Sequence, residues 1–598
     1  MAEAARLLKN GLIYTVDSDW SVAQALVIGT DGKILFVGSH DAATELCTEA
    51  TVVTDLAGKV VLPGFVDNHT HAAESAAKFT SLYLADVKTV PQYIELIRTF
   101  ANDTAKVQDE VITGFGWEQA VFQEYNGAVY GVATSQLGPS RFLLDEALRG
   151  TLLEHKPVKL YSNDYHCAWY NSVAIELARG QGFDIAGEIT ENRGSDQINR
   201  IPATLTGWYH GTDFSLYSDQ PWGVMREGAC QYVDAYLPSL SMAAQQRQAD
   251  HGMQAFIGEM SSYGVTLLQD ILLKSPNQSP HVVAVYDLLR LGRKQLLWRV
   301  SLLGNVVDPE QTVEEFRNAQ KHYGAVAEFQ FFSVKLFADA IQKGMYLMEP
   351  YADEPDNSAN IGCLYKNAAE EQIKDFIAVM HRENIPVHIH AMGDRAVKVC
   401  LDGFDAACSR YGDKNLHHTL THLLLVRQED ATRMAQRNIV ASINSYWHYK
   451  EPFYYEEIFA PLLGAKRVQN MFPAQVLAAA DVLTCMATDG EISEKPAPLW
   501  GIEIAVTRNA PGATNSRLRH NPRQKLTRQQ AVAMATINGA KALGLEEVTG
   551  SLEVGKRADL VILAKDIFTI PENQIHSIQV VETVSNGETQ YQASGWNP

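Results

Sequence analysis

Along residues 4–58 short apolar runs alternate with turn signals: "RLLKNGLIYTVD", "AQALVIGTDGKILFVGS" and "ATVVTDLAGKVVLPG", punctuated by Asn10-Gly11, Asp31-Gly32 and Gly58. Asn-Gly and Asp-Gly between β-branched runs are hairpin signals, so a small antiparallel sheet is predicted here. The same style returns at the other end in "GSLEVGKRADLVILAKD" and "IQVVETVSNGETQYQ", which closes on Asn586-Gly587. Residues 1–58 and 546–598 are therefore expected to build one composite β-domain, a small β-sandwich made from both chain ends. Residues 59–545 are left as a second, central domain.

The central region changes period. Apolar strand-like runs alternate with amphipathic helical stretches such as "AAEEQIKDFIAVMHREN", while "TVPQYIELIRTFAND" marks a further helix; this is the pattern of βα units around a parallel sheet. Eight strand candidates stand out, at 61–70, 264–270, 298–304, 333–337, 386–390, 418–422, 439–444 and 483–489. Eight parallel strands with intervening helices predict a (β/α)8 TIM barrel of the α/β class. About 190 residues separate the first two candidates, far more than a crossover needs, so residues from about 75 to 255 are expected to form an inserted subdomain over the barrel mouth.

Composition narrows the partners. With 598 residues, 46% of them hydrophobic, the chain has the makings of a large globular protein. A formal charge of −20 and the absence of any Lys/Arg run argue against nucleic acid, which a basic patch would have to neutralise. The N-terminal stretch lacks an apolar signal region and no run of about eighteen apolar residues occurs, so a cytoplasmic protein without a membrane span is expected. Seven scattered cysteines form no C-x-x-C pair and suggest neither a disulfide framework nor a cysteine zinc site. A small-molecule substrate is the expected partner; oligomeric state stays open, with a homodimer as one option.

The segment "VVLPGFVDNHTH" ends in His69 and His71, two imidazoles at i and i+2 that a strand points to one side. On a barrel that side matters, because chemistry gathers where strands end. Lys335 belongs to the fourth candidate strand, His388 and His390 end the fifth, His422 ends the sixth and Asp489 ends the eighth. Five separate strands thus bring ligand-type side chains to one rim, which points to a metal site built from imidazole and carboxylate.

The order His-x-His, Lys, His, His, Asp resembles the amidohydrolase superfamily, and the local sequences resemble its family 3, or YtcJ-like, branch. The stretches that carry the likeness span nearly the whole chain: "LPGFVDNHTH", "GFGW", "NDYHCAWYNSVA", "GVMREGA", "GVTLLQD", "SVKLFAD", "VHIHAMGDRAV", "THLLLV", "ATDG", "LTRQQAVAMATINGAKALG" and "GSLEVGKRADLVIL". The resemblance implies a metal-dependent barrel hydrolase that cleaves a C–N bond in an amide, formamide or N-acyl amine by attack of a metal-bound hydroxide. It implies His69 and His71 as ligands of a buried ion, His390 and His422 as ligands of a second, and two Zn2+ per chain. Lys335 matches the lysine that takes up carbon dioxide; as a carbamate it gains two oxygens able to bridge paired ions, which an ammonium without a lone pair cannot do. Asp489 is expected to touch the buried metal and to shuttle the proton from water to the leaving group. His388 shares a face with His390, but the histidine directly before "AMGDRAV" is the family's position.

Further candidates for substrate contact are His166 in "NDYHCAWYN", Trp117 and His448 in "NSYWHY", with core packing the rival account of the last two. Asp394 and Arg395 lie in the "GDRA" turn, where an ion pair that orients the loop competes with a catalytic role. The chain departs from the family after Lys335, where Asp339 is kept but Ala340 replaces a glycine. Two rival readings remain: a mononuclear deaminase, which asks less of Lys335, and a non-catalytic regulatory relative, which would not require Asp489.

Overall fold

The computed structural model describes residues 2–85, 87–104, 111–131, 137–163, 167–180, 208–210, 214–217, 220–226, 230–238, 242–272, 279–493 and 495–596. The chain divides into two compact units, one of residues 1–72 with 256–598 and the other of residues 73–255.

The first unit holds an eight-stranded parallel sheet in chain order: Phe65–Thr70, Val265–Leu272, Leu297–Leu303, Phe329–Phe337, Val387–Ala391, Thr419–His422, Val440–Ile443 and Thr484–Met486. These are the eight expected strands. The first and last strands meet through polar links that nearly close the barrel: the Asp489 N–H donates to the His69 carbonyl (2.8 Å) and the Thr488 N–H to Asp67 (3.0 Å). Helices cross between successive strands, among them Pro280–Arg290, Pro309–Tyr323, Glu370–Arg382 and Asp394–Tyr411. Their starts follow local chemistry. Asp308 accepts from the Gln311 N–H ahead of Pro309 at the first helical position, satisfying a donor that the helix itself leaves unpaired.

Period-two alternation explains the first strand. Val66 packs outward with Leu267, Leu297, Ala540 and Leu543, and Asn68 donates outward to the Gly539 carbonyl at 3.0 Å. Asp67 and His69 consequently face the barrel interior.

The ends of the chain share a second sheet, in the order Glu588–Gln592, Val580–Ser585, Leu560–Leu563, Val60–Pro63, Ala4–Tyr14, Val22–Gly29, Ile34–Gly38, with Val52–Asp55 also on Ala4–Tyr14. One apolar cluster mixes both ends: Leu8, Ile13, Leu26 and Val61 with Leu560, Ile562 and Val584. Arg6 grips buried Glu582 through two bonds of 2.6 and 2.9 Å, and this pairing outweighs burial to hold the Glu582 carboxyl below its ordinary range. The sheet reaches past residue 58 to Pro63, so the single candidate at 61–70 is two strands serving two sheets. The chain changes sheets at Gly64, where a Cβ would stand 2.1 Å from Thr266 Oγ1.

The second unit contains a seven-stranded sheet ordered Trp208–His210, Phe214–Tyr217, Gln220–Arg226, Cys167–Tyr170, Val158–Ser162, Ile112–Trp117, Leu82–Tyr83. Its core includes Trp117, Trp169, Trp222, Phe122 and Tyr93. Among the described residues no helix is long and apolar enough to cross a membrane.

Candidate metal centre

The inward face of the first strand delivers His69, and the residue after that strand is His71. The Nε2 atoms of both converge on Asp489 Oδ1, at 3.1 Å from His69 and 3.2 Å from His71. Asp489 is placed by the barrel closure: its backbone is left-handed (φ 64°), and the preceding Thr488 is clamped to Asp67 through its hydroxyl and its N–H. Burial pushes the Asp67 carboxyl up to about 7, against the hydrogen bonds from Thr488 and from the His69 N–H.

His422 also sits in the left-handed region (φ 72°) at the end of the sixth strand. Its Nδ1 meets Asn444 Oδ1 at 2.8 Å, and its ring lies flat against Trp447 with centroids 5.6 Å apart. Two residues with a Cβ held at positive φ, at the ends of the sixth and eighth strands, are strained, which such packing and hydrogen bonding sustain. His390 stands beside His422 with ring centroids 4.5 Å apart, and His422 is 5.0 Å from His69 by the same measure.

Lys335 is fully enclosed, its Nζ 3.4 Å from His69 Nε2 and 4.8 Å above the Phe337 ring. Burial pushes the amine down to about 7, toward its uncharged form, against the pull of Asp489. Burial pushes His422 down to about 4, and burial together with the Lys335 charge holds His69 well below the usual histidine range. Burial alone would raise the Asp489 carboxyl, but His69 and His422 hold it well below the carboxylate range.

The donor chemistry fits a cation. His71 Nδ1 lies 3.2 Å from the Ile271 carbonyl, an acceptor, so a neutral His71 carries its proton on Nδ1 and turns its Nε2 lone pair to the Asp489 carboxylate. Two acceptors pointed at each other across 3.2 Å are stabilised by a positive ion held between them. The ligand atoms of His69, His71 and Asp489 all lie within 4.8 Å of one another, a spacing that suits one ion.

The other sequence candidates separate. His388 lies deeper, its Nε2 2.8 Å from His69 Nδ1. Trp117 is sealed in the core of the second unit, donating its indole N–H to the Leu160 carbonyl at 2.7 Å, which accounts for it by packing. His448 is buried against Phe472 with ring centroids 4.8 Å apart; of its neighbourhood it is Trp447 that covers a candidate ligand. His166 lies outside the described residues. Arg395 pairs with Glu370 at 2.9 Å and Asp394 accepts the Met348 N–H, an arrangement that orients the loop. Asp339 accepts the N–H groups of Tyr346, Met392 and Gly393, tying the loop after strand four to the one after strand five, and the Ala340 N–H donates to the Gly344 carbonyl.

Sequence reasoning singled out neither Asp67 nor Asn444. Asp67 carried a signal, since it continues the i, i+2 series of His69 and His71; Asn444 closed a candidate strand and had none.

The model of the amidohydrolase family matches residues 52–194 and 215–591. An N-substituted formamide deformylase from Arthrobacter pascens is 22% identical over 98% of this chain and 98% of its own length. The protein LONG AFTER FAR-RED 3 of Arabidopsis thaliana is 25% identical over 98% of this chain and 91% of its own. Among solved structures, an uncharacterized metal-dependent hydrolase from Pyrococcus horikoshii OT3 is 20% identical and superposes with a TM-score of 0.68 over 95% of this chain and 99% of its own.

Proposed function

The chain belongs to the amidohydrolase family, and from that membership we propose that it hydrolyses a C–N bond in a small amide, formamide or N-acyl amine at a binuclear zinc centre. The observation that carries the reading is the convergence of His69 Nε2, His71 Nε2 and Asp489 Oδ1, ligand-type atoms all within 4.8 Å of one another. His69, His71 and Asp489 would hold the buried ion, His390 and His422 the second, and Lys335 as its carbamate would join them. Bound divalent ions supply Lewis acidity and bring the pKa of water to about 7, which makes a serine or cysteine nucleophile unnecessary.

The chain's own residues do the rest. Asp489, kept ionised, takes the proton from the attacking water on one carboxylate oxygen and gives it to the departing nitrogen, so that an amine leaves rather than an amide anion. Trp447 and Asn444 fix the plane of His422, and Asp67 fixes the segment that carries Asp489. A formamide is a fitting first substrate class, given the named activity of the Arthrobacter relative.

The test is amine release from a panel of N-substituted formamides, N-acyl amino acids and cyclic amides, with and without a chelator. Chelator-sensitive release of an amine is expected. Release of ammonia from an amino-heterocycle by protein holding one ion would favour the mononuclear deaminase instead.

A further inference from the structure

For two of the candidate ligand histidines, the partner of Nδ1 is an oxygen that can only accept. His71 faces the Ile271 carbonyl at 3.2 Å and His422 faces Asn444 Oδ1 at 2.8 Å, the amide being oriented by its own Nδ2 donating to the Ala487 carbonyl at 3.3 Å. Both rings therefore carry their proton on Nδ1 and turn the Nε2 lone pair to the centre.

His69 differs. Its Nδ1 meets another imidazole, His388 Nε2, at 2.8 Å, and an imidazole nitrogen can donate or accept. The two directions have opposite consequences. If His388 donates, the His69 proton sits on Nε2, between Asp489 Oδ1 at 3.1 Å and Lys335 Nζ at 3.4 Å, and blocks a ligand position. If His388 accepts, that Nε2 is an open donor like the other two. The Thr421 hydroxyl, at a longer 3.2 Å from the same Nδ1, can donate or accept and so fits either direction. The fold holds His388 firmly in this place. It sits on Val387–Ala391 in register with Lys335, almost wholly buried, with its Nε2 already committed to His69.

We propose that His388 is a positioning residue that accepts the Nδ1–H of His69 and so fixes the tautomer that aims His69 Nε2 at Asp489, rather than being a ligand itself. The inference rests on the metal-centre reading, yet the tautomer exists in metal-free protein and is measurable there. Two variants divide the possibilities: His388→Gln keeps an acceptor oxygen and His388→Leu removes it.

In metal-free protein labelled with [15N]histidine, the His69 resonances, assigned by their loss in His69→Gln, are expected to show a protonated Nδ1 in the wild type and in His388→Gln. His388→Leu is expected to shift that pattern. By competition with a chelator, zinc affinity should fall about 10–100-fold in His388→Leu, the range for losing a partner that orients a ligand, and stay near wild type in His388→Gln. A wild-type His69 protonated on Nε2 would overturn the proposal. So would unchanged zinc affinity in His388→Leu, or equal losses in both variants as deep as that of His390→Leu, which would make His388 a ligand. Should the wild type bind no zinc, the metal reading fails, and the nitrogen pattern alone decides this inference; the wild-type pattern also decides it should His388→Leu not fold.

Discussion

Asp489 reaches the candidate centre from a left-handed backbone (φ 64°), a conformation that costs a residue with a Cβ about 1–2 kcal/mol. The closure around Asp67 and Thr488 sustains that strain, and what it secures is a carboxylate in range of two imidazoles. Asp489→Asn keeps an oxygen for the metal but cannot accept water's proton. Metal content should fall little while turnover drops by about 10²–10⁴, measured as kcat beside elemental analysis; turnover within a few fold of wild type would remove Asp489 from proton transfer. If Lys335 is the proposed carbamate, Lys335→Ala should lose activity and weaken metal binding by more than the roughly 100-fold that an outer partner costs. Propionate is expected to restore part of the activity. A third residue works far from this chemistry. His418 receives the Val387 N–H on Nδ1, which forces the proton onto Nε2 and directs it to His381 Nδ1 at 3.0 Å, and His381 passes its own to the Gly412 carbonyl. Burial, with the two neighbouring histidines, pushes His418 down to about 3. Its depressed folded value means the unfolded chain takes up the proton first, so stability present above about pH 6.5 is lost as pH falls toward 3. Between pH 7 and 5 that loss is on the order of 2 kcal/mol. Denaturant midpoints should fall less steeply over this interval in His418→Gln than in the wild type.

Among the elements, the composite sheet depends on strands drawn from both ends. Deleting residues 566–598 would remove Val580–Ser585 and Glu588–Gln592, unpair Leu560–Leu563 along one edge and strip Arg6 of Glu582. The expected product is insoluble or melts far below the full chain, because an apolar edge strand and the partly buried Arg6 are both left without partners. A soluble, fully active truncation would contradict the shared core. All eight barrel strands were legible because each is a short apolar run followed by a polar cluster and then a helical period. What period two cannot reveal is which sheet a strand joins. Residues 61–70 read as one continuous strand, and only tertiary packing against Thr266 shows Gly64 to be the point of transfer. Nor can it separate His388 from His390, since both face inward from one strand and differ only in depth. Trp117 and Arg395 show the converse, residues whose packing and pairing supply the commoner structural explanation.

The molecule as a whole comprises the barrel and the composite sheet in one unit and a seven-stranded sheet in the other. The candidate centre uses side chains from five of the eight barrel strands or the turns just past them, which is why a pattern spread over more than 400 residues was readable as one site. The supporting partners were less visible: Asn444, Trp447 and the Ile271 carbonyl act through position alone, and a main-chain oxygen leaves no mark in the sequence. Everything proposed for the chemistry depends on these residues holding paired divalent ions, and elemental analysis of protein purified with zinc and bicarbonate measures that directly. A value approaching two ions per chain is expected, falling sharply in His69→Ala. A value near zero in the wild type, with C–N hydrolysis undiminished by chelator, would contradict the paired-ion centre.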